Sequence, residues 1–443
     1  MRKIISGRRG SGRGKFEMIV NTAITTQYGS QPPSATNQFY FPIANGTDRL
    51  GYTISFTIDW GDSTTSNVNS INYATACFHT YSSPGTYTIS AEGSIAGFNF
   101  WNSGTSGKAD GNKLLEITRW GDLKITGGAA TSVGQTFRQC GSLGLISAPD
   151  TPWFPGHSNG IDLNTMGGRA TFGLCNSLAV INNIANWDVS KLKIMEIMFQ
   201  GCGKWQYGTN ASGPIDISNW DASRSTDFER MFSGCSLFNS KMFNNVGANT
   251  AGLPNSFNVD MRQMFSDCTV FNNQNSGTMN SWDTSGVTKM DYMFDGCIAF
   301  NDNITSWNTS LVTTMRQMFN RATIFNQAIS GWNTANVVDM RDMFTNATAF
   351  NQPIGNWNVN AWSQVGIGNT PLTGPSTTFT LSTANYDALL LAWDAAYSFP
   401  SWPGGVVDFG NSQYSLTSPG NAVALARASL VNKWGTLNDG GGI

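Results

Sequence analysis

Two hydrophobic rhythms divide the chain. Between Tyr52 and Ile58, apolar Tyr52, Ile54, Phe56 and Ile58 alternate with Thr53, Ser55 and Thr57. A period of two predicts a half-buried strand. Asp59-Trp60-Gly61-Asp62 then predicts a turn. Pro84-Gly85, ahead of Tyr87-Thr88-Ile89, predicts a hairpin turn into a further strand. From about residue 110 to 360 the rhythm lengthens. Met-Phe recurs at Met198-Phe199, Met231-Phe232, Met264-Phe265, Met293-Phe294, Met318-Phe319 and Met343-Phe344, with degenerate copies at Thr136-Phe137 and Thr171-Phe172. The step settles to 25 residues toward the C-terminal end, and Trp282, Trp307, Trp332 and Trp357 keep the same step. Trp187 and Trp220 are earlier equivalents.

Internal self-similarity at this period predicts a solenoid, because a 25-residue unit is too small to bury its own apolar face and must share a core with its neighbours. Within the unit running from Trp307 to Gly331, the β-branched stretch Asn308 to Thr313 predicts a short strand. Met315, Met318 and Phe319 fall at i, i+3 and i+4, which predicts one helical turn with an inward apolar face. The predicted repeat core is therefore Phe199, Phe232, Phe265, Phe294, Phe319 and Phe344 with the four tryptophans Trp282, Trp307, Trp332 and Trp357.

Cysteine placement adds to that core. Six of the seven, Cys140, Cys175, Cys202, Cys235, Cys268 and Cys297, sit three residues after a repeat Phe, and Ala322 and Ala347 take the same place in the next two copies. Cys and Ala interchange where a small buried side chain is needed. The pattern predicts a ladder of core thiols. A zinc site would need close pairs such as C-x-x-C, and none occurs. Cys77 has no assignment. Asn239, Asn272, Asn301, Asn326 and Asn351 form a second ladder, placed to bond the backbone of neighbouring coils.

A solenoid end exposes its core and needs a cap. After a Pro/Gly/Thr stretch from Asn369 to Thr378, Tyr386, Leu389, Leu390 and Trp393 have helical spacing, with Ser382 or Thr383 placed to cap the helix N-terminus. A strand from Val406 to Phe409 and a second helix from about Asn421 to Trp434 follow.

Two resemblances follow from these motifs. Ile58-Asp59-Trp60-Gly61-Asp62 with His79-Thr80-Tyr81 and Pro84-Gly85-Thr86-Tyr87 resembles the polycystic-kidney-disease (PKD) domain, an immunoglobulin-like sandwich, with Ser63 where that pattern carries a second Gly. The resemblance implies a structural or spacer role for residues 17–105. The repeat unit resembles the BspA-like family of 25-residue leucine-rich repeats of bacterial surface proteins and phage-encoded proteins, most closely from Trp282 to Val359. It implies surface exposure and protein or glycan recognition, but fixes no ligand-contacting residue. The segment from Tyr386 to Val431 is similar to the C-terminal segment often found after such repeats. The expected fold is mainly β with short helices: a basic arm (1–16), a PKD-like β-sandwich (17–105), a leucine-rich-repeat-like solenoid (106–368) and a small α/β C-terminal cap (369–443).

Composition narrows the class. Charged residues are only 12% of the 443, about half the usual ~25%. With 53 Phe, Trp and Tyr residues and a net charge of -2, the chain is not a disordered polymer. It has no run of 18 apolar residues, so no membrane insertion is expected. The charge is uneven. Arg2, Lys3, Arg8, Arg9, Arg13 and Lys15 lie in the first fifteen residues without one acid, which leaves -8 on the remainder. That segment lacks the apolar stretch of a secretory signal. It reads either as a solvated tail or as an arm docking on an acidic protein surface, nucleic acid being the less favoured partner.

Candidate chemistry is sparse. No nucleophile elbow, phosphate loop or H-E-x-x-H motif occurs. His79 reads as structural, and His157 lies in a Pro/Gly loop away from any nucleophile. Asp59 and Asp62 read as turn caps, with calcium ligation as the alternative. The expectation is a non-enzymatic protein without cofactor or metal. It would be a virion-surface structural protein, a bacteriophage fibre, spike or decoration protein, anchored to other virion proteins through the basic arm. Its repeats would be shown to a host surface protein or glycan, with homo-oligomerisation open. The alternatives are a bacterial cell-surface adhesin and an accessory module of a carbohydrate-active enzyme.

Overall fold

The computed structural model describes residues 14–26, 33–43, 54–95, 98–100, 110–121, 123, 136–152, 169–190, 192–206, 215–243, 258–361, 380–396, 406–417 and 419–443. Of the basic arm, Arg2, Lys3, Arg8, Arg9 and Arg13 lie outside the described residues, and Lys15 is exposed. His157 lies outside them too. The described residues are mainly β, with a few short helices and no closed barrel. The chain divides into two compact units, one of Met1–Leu192 with Tyr207–Gly213, the other of Lys193–Gln206 with Pro214–Ile443.

The first unit is built on β1 (Phe16–Asn21), β2 (Gln38–Tyr40), β3 (Ser55–Asp59), β4 (Thr65–Asn69), α1 (Tyr73–Ala76), β5 (Phe78–Thr80), β6 (Thr86–Ser94), β7 (Leu114–Arg119), β8 (Leu145–Ile146) and β9 (Val180–Ile181). Seven strands form one sheet in the order β4-β3-β6-β1-β7-β8-β9, and β2 pairs with β5 in a separate ribbon. Alternation explains the pleat: Phe16, Met18 and Val20 of β1 are fully buried while the residues between them are half-exposed. Phe16 meets Phe98 at 5.4 Å, and Phe98 meets Phe41 at 5.2 Å, all edge on. Antiparallel pairing ends at β7, and β7-β8-β9 run parallel. The sheet thus carries on from the alternating segment into the first repeats.

Pro84-Gly85 does not make a hairpin. β5 pairs with β2, and β6 pairs with β1 and β3, so the connection passes from the ribbon to the large sheet. Thr22 holds it, donating its backbone N–H to the Gly85 carbonyl at 2.8 Å and accepting the Gly85 N–H on its hydroxyl at 2.9 Å. The hairpin is instead β3-β4, closed by Asp59 to Thr64. Asp59 accepts the Gly61 N–H at 3.0 Å, and Asp62 accepts that of Thr64 at 3.1 Å, both as turn caps. Gly61 (φ 78°) and Ser63 (φ 72°) are left-handed here. A Cβ on Gly61 would lie 2.4 Å from the Thr88 carbonyl oxygen, which explains that glycine. His79 stacks on Trp60 at 4.8 Å and bonds Asp62 through Nε2 at 2.7 Å. Hydrogen bonds from Thr64 and His79 outweigh the desolvation of Asp62 and hold its carboxyl below its ordinary range. Buried Lys113 donates from Nζ to the carbonyls of Ala35 (2.9 Å) and Gln38 (2.7 Å), pinning the start of β7 to the segment leading into β2.

In the second unit the repeats stack. Strands there are short, β10 (Val259–Asp260) and β11 (Val287–Lys289), and elsewhere shrink to single parallel bridges such as Thr314 with Asp339. The Met-x-x-Met-Phe segment is a string of tight turns, not a helical turn. Met318 N–H returns to the Met315 carbonyl at 3.2 Å, but Gln317 and Arg321 are left-handed (φ 52° and 62°) and break any helix. The alternate N–H groups leave the coil instead. Met315, Gln317, Phe319 and Arg321 donate to the carbonyls of Asp339, Arg341, Met343 and Thr345 at 2.8–2.9 Å. The same four-bond rung joins coil to coil from Met195 onward, always donating toward the C-terminal neighbour.

The inward side chains then stack in columns. Phe199, Phe232, Phe265, Phe294, Phe319 and Phe344 lie 5.6–5.9 Å apart with planes within 9° of parallel. Phe238, Phe271, Phe300, Phe325 and Phe350 form a second column, and Trp282, Trp307 and Trp332 a third. These spacings exceed the ~4.8 Å between hydrogen-bonded strands, so neighbouring rings are offset, the preferred geometry for parallel aromatics. In the first unit Phe137 and Phe172 stack in the same way at 5.4 Å.

At the C-terminal side, α2 (Thr383–Ala396), β12 (Val406–Asp408), α3 (Ala422–Trp434) and β13 (Thr436–Asn438) form a small α/β element, with Tyr386, Leu389, Leu390 and Trp393 buried on α2. Ser382 caps α2, its hydroxyl accepting the Asn385 N–H at 3.4 Å.

Candidate functional site: the outward face of the repeats

Each coil splits its residues between two duties. The predicted core residues are all inside: the six phenylalanines and Cys202, Cys235, Cys268 and Cys297 have no exposure, and Trp282, Trp307, Trp332 and Trp357 have 3% or less. The thiols do more than fill space. Cys235, Cys268 and Cys297 donate from Sγ to the carbonyls of Phe199, Phe232 and Phe265 at 2.9–3.0 Å, bridging adjacent coils. Burial pushes these thiols well above their ordinary pKa. The Asn ladder is equally regular. Asn272, Asn301 and Asn326 each accept the N–H of the next ladder Asn at 2.8–2.9 Å, and Asn351 accepts that of Ser382 at 2.8 Å, handing the ladder to the helix cap. The residue after each Trp caps a turn, as Asn308 does for Ser310 at 3.0 Å, and the following Thr bonds the next coil, as Thr309 does to the Asn333 carbonyl at 2.9 Å.

The two residues between the inward methionines, or between Phe228 and Met231 in one coil, point the other way. In successive coils they are Glu196-Ile197, Glu229-Arg230, Arg262-Gln263, Asp291-Tyr292, Arg316-Gln317 and Arg341-Asp342. All twelve are half-buried, and the second of each pair is left-handed, with φ between 52° and 60°. Stacking aligns them into one stripe. Its charges are partly paired: Arg262 bridges Glu229 at 2.7 Å and Asp260 at 2.8 Å, Lys289 reaches Asp260 at 3.3 Å, and Arg341 holds Asp339 at 2.7 Å. Burial opposes ionisation of Asp260, but the Arg262 hydrogen bonds and the charges of Arg262 and Lys289 hold its carboxyl low. Asp227 has no such cation beside it among the described residues, accepting only the Glu229 N–H there at 3.0 Å. Burial, with the charges of Glu196, Asp260 and Glu229, pushes it up to about 6.

In the middle of the stripe is a cavity of about 260 Å³ lined by Glu229, Arg230, Arg262, Gln263, Asp291, Tyr292, Arg316 and Asp339. Arg316 lies over the Tyr292 ring at 5.6 Å, and its Nε is buried without an acceptor among the described residues. Asp291 accepts the Thr314 hydroxyl and the Arg316 N–H, and burial raises its pKa. Sequence reasoning did not pick out this stripe, because its members differ in type from coil to coil and leave no periodic signal. Among the described residues no group of three His, Cys, Asp or Glu side chains is arranged to hold a metal, and no helix is long and apolar enough to cross a membrane.

A constant interior beneath a changing exterior marks these segments as stacked sequence repeats. Two adjacent stretches, residues 169–258 and 259–367, match the family model described as "Mycoplasma protein of unknown function, DUF285". Both matches fall on the repeats and support their BspA-like, surface-repeat character. No curated protein and no solved structure matches the chain.

Proposed function

We propose that the chain is a non-enzymatic, surface-displayed recognition protein of adhesin type, whose coils form a solenoid that presents the Met-x-x-Met stripe to a host-surface protein or glycan. One observation carries this reading. From coil to coil the inward positions repeat Met, Phe, Cys or Ala and Trp, whereas the outward pairs change from Glu-Arg to Arg-Gln, Asp-Tyr and Arg-Asp. Fixed packing with free outward positions is how repeat proteins build binding surfaces. The family match to surface repeats supports it. Fluorescently labelled chain should bind saturably to cells of at least one species in a bacterial panel. Binding to none would overturn the reading.

Display on a bacteriophage particle is the narrower form of the same reading, favoured by the basic segment Arg2 to Lys15 ahead of an acidic body. The arm would dock on other virion proteins, while the N-terminal sandwich and solenoid project. Mass spectrometry of purified virions should find the chain, and deleting residues 2–15 should abolish incorporation without unfolding the remainder. Normal incorporation of the truncated chain would refute the docking role.

A further inference from the structure

We propose that the cavity centred on Tyr292 and Arg316 binds a neutral hexose unit of a surface glycan. The inference rests on the recognition role above and names its ligand class. Arg230, Arg262 and Arg316 face Glu229, Asp291 and Asp339 around one cavity, so the local formal charge sums to zero. An anionic ligand meets three carboxylates and a cationic ligand three guanidinium groups. Neither gains from the field of the site. A polyhydroxyl ring uses both signs, because every hydroxyl donates once and accepts twice.

The geometry supplies matching partners. Arg316 Nε is a buried donor without an acceptor among the described residues; it has no exposed surface where the guanidinium lies over Tyr292, so a ligand oxygen satisfies it only by drawing the guanidinium off the ring. The Asp291 carboxylate accepts from the Thr314 hydroxyl, the Arg316 N–H and its own backbone N–H, three of the roughly four lone-pair positions a carboxylate offers, which leaves room for a ligand hydroxyl. Gln263 contributes an amide whose oxygen accepts from Arg230 Nε and keeps a second lone pair, and Tyr292 an aromatic ring, one face of it taken by Arg316, for the apolar C–H face of a sugar. The size agrees: about 260 Å³ is below the ~300–1,000 Å³ of sites for larger organic ligands and suits a single ring. The backbone that carries these side chains is also held in advance, because Gln263, Tyr292 and the neighbouring Gln317 each donate a backbone N–H to the next coil at 2.7–2.9 Å. Rigid positions lower the ordering cost of binding a small polar ligand.

The test is a glycan array probed with the full chain, carrying neutral galactosyl, glucosyl and mannosyl glycans beside sialylated, uronic and sulfated ones, followed by calorimetry on the best neutral hit. The expected result is retention of neutral glycans, with affinity changing less than ~3-fold between ~50 and ~500 mM NaCl, since no net charge is screened. Arg316→Lys keeps the charge and loses Nε, and Tyr292→Leu removes the ring. Each should weaken binding at least ~10-fold with the unfolding temperature unchanged. Gln263→Ala serves as the third probe should either variant lose stability. Retention of acidic glycans alone, unchanged affinity in the variants, or no glycan retained would each overturn the proposal. Cell binding by the same preparation then separates the two levels: cells bound without glycan capture leaves the recognition role standing, and no binding to cells removes that role as well.

Discussion

At the residue scale, burial raises the pKa of both Asp227 and the core thiols, but only Asp227 is left charged at neutral pH. Asp227 titrates at about 6 in the folded chain against an ordinary value of 3.8. The folded state therefore holds its proton more tightly than the unfolded chain, and stability falls as pH rises through roughly 4 to 6. Asp227→Asn keeps an oxygen to accept the Glu229 N–H, now at 3.0 Å, and removes the charge. It should raise stability at pH 7–8 by about 1–2 kcal/mol, discounted for partial exposure, and give no gain below about pH 4. Denaturant unfolding at the two pH values checks this. For the thiols, Cys268→Ala should cost at most about 1 kcal/mol, because the Phe232 carbonyl that accepts Sγ also accepts the Cys235 N–H at 2.9 Å. Cys268→Leu should cost ~1–3 kcal/mol by overpacking. Equal unfolding midpoints for the two variants would argue against a tight core at that position.

At the element scale, the coil shows what the sequence could and could not reveal. The inward Phe, Trp and Cys positions were legible because stacking forces a residue of the same size and character to return in every coil, at a step that settles to 25 and with Ala in place of Cys in the last two copies. The cap helix was legible from Tyr386, Leu389, Leu390 and Trp393. The turn string was not, since Met315, Met318 and Phe319 have the spacing of a helical face, and left-handed Gln317 and Arg321 carry no glycine signal. Pairing of β1 with β7 was hidden for a different reason: Met18 opposite Ile117 is a contact nearly a hundred residues apart, beyond any local pattern. The outward stripe escaped because only stacking brings Arg262, Asp291 and Arg316 side by side. Regularity of the Asn ladder makes its own prediction. Asn326→Ala strips the acceptor used by the Asn351 N–H at 2.9 Å and by Gln352 Nε2 at 2.8 Å. The expected loss is about 1–2 kcal/mol, with hydrogen exchange faster at Asn351 than at Phe344.

At the scale of the whole molecule, the repeated joint matters more than any single contact. Within the second unit, the rung from Phe294 to Met318 and the rung from Phe319 to Met343 have the same length of 2.9 Å. Excising residues 307–331 should therefore leave a folded chain, its Thr284, Tyr292 and Phe294 meeting the partners that Thr309, Gln317 and Phe319 meet now. Circular dichroism should keep its shape, and the unfolding temperature should fall only modestly, since stability is close to a sum over coils and joints. Loss of a cooperative transition would refute interchangeability.

Those rungs all point one way. Within each rung, from Met195–Gly201 to Met315–Arg321, the N–H groups are aimed at the coil that follows in sequence, while Thr226, Asp260 and Thr313 donate back to the coil before. Peptide dipoles of ~3.5 D aligned in this manner add along the stacking direction, as they do along a helix. Here the positive end falls at the later coils, the reverse of the helix, whose positive end is its N-terminus. Carboxylates gain at such an end, and the last of these coils carries Asp339 and Asp342. The rungs thus give the stack a polarity, so its two ends are electrostatically unlike even where their side chains are the same.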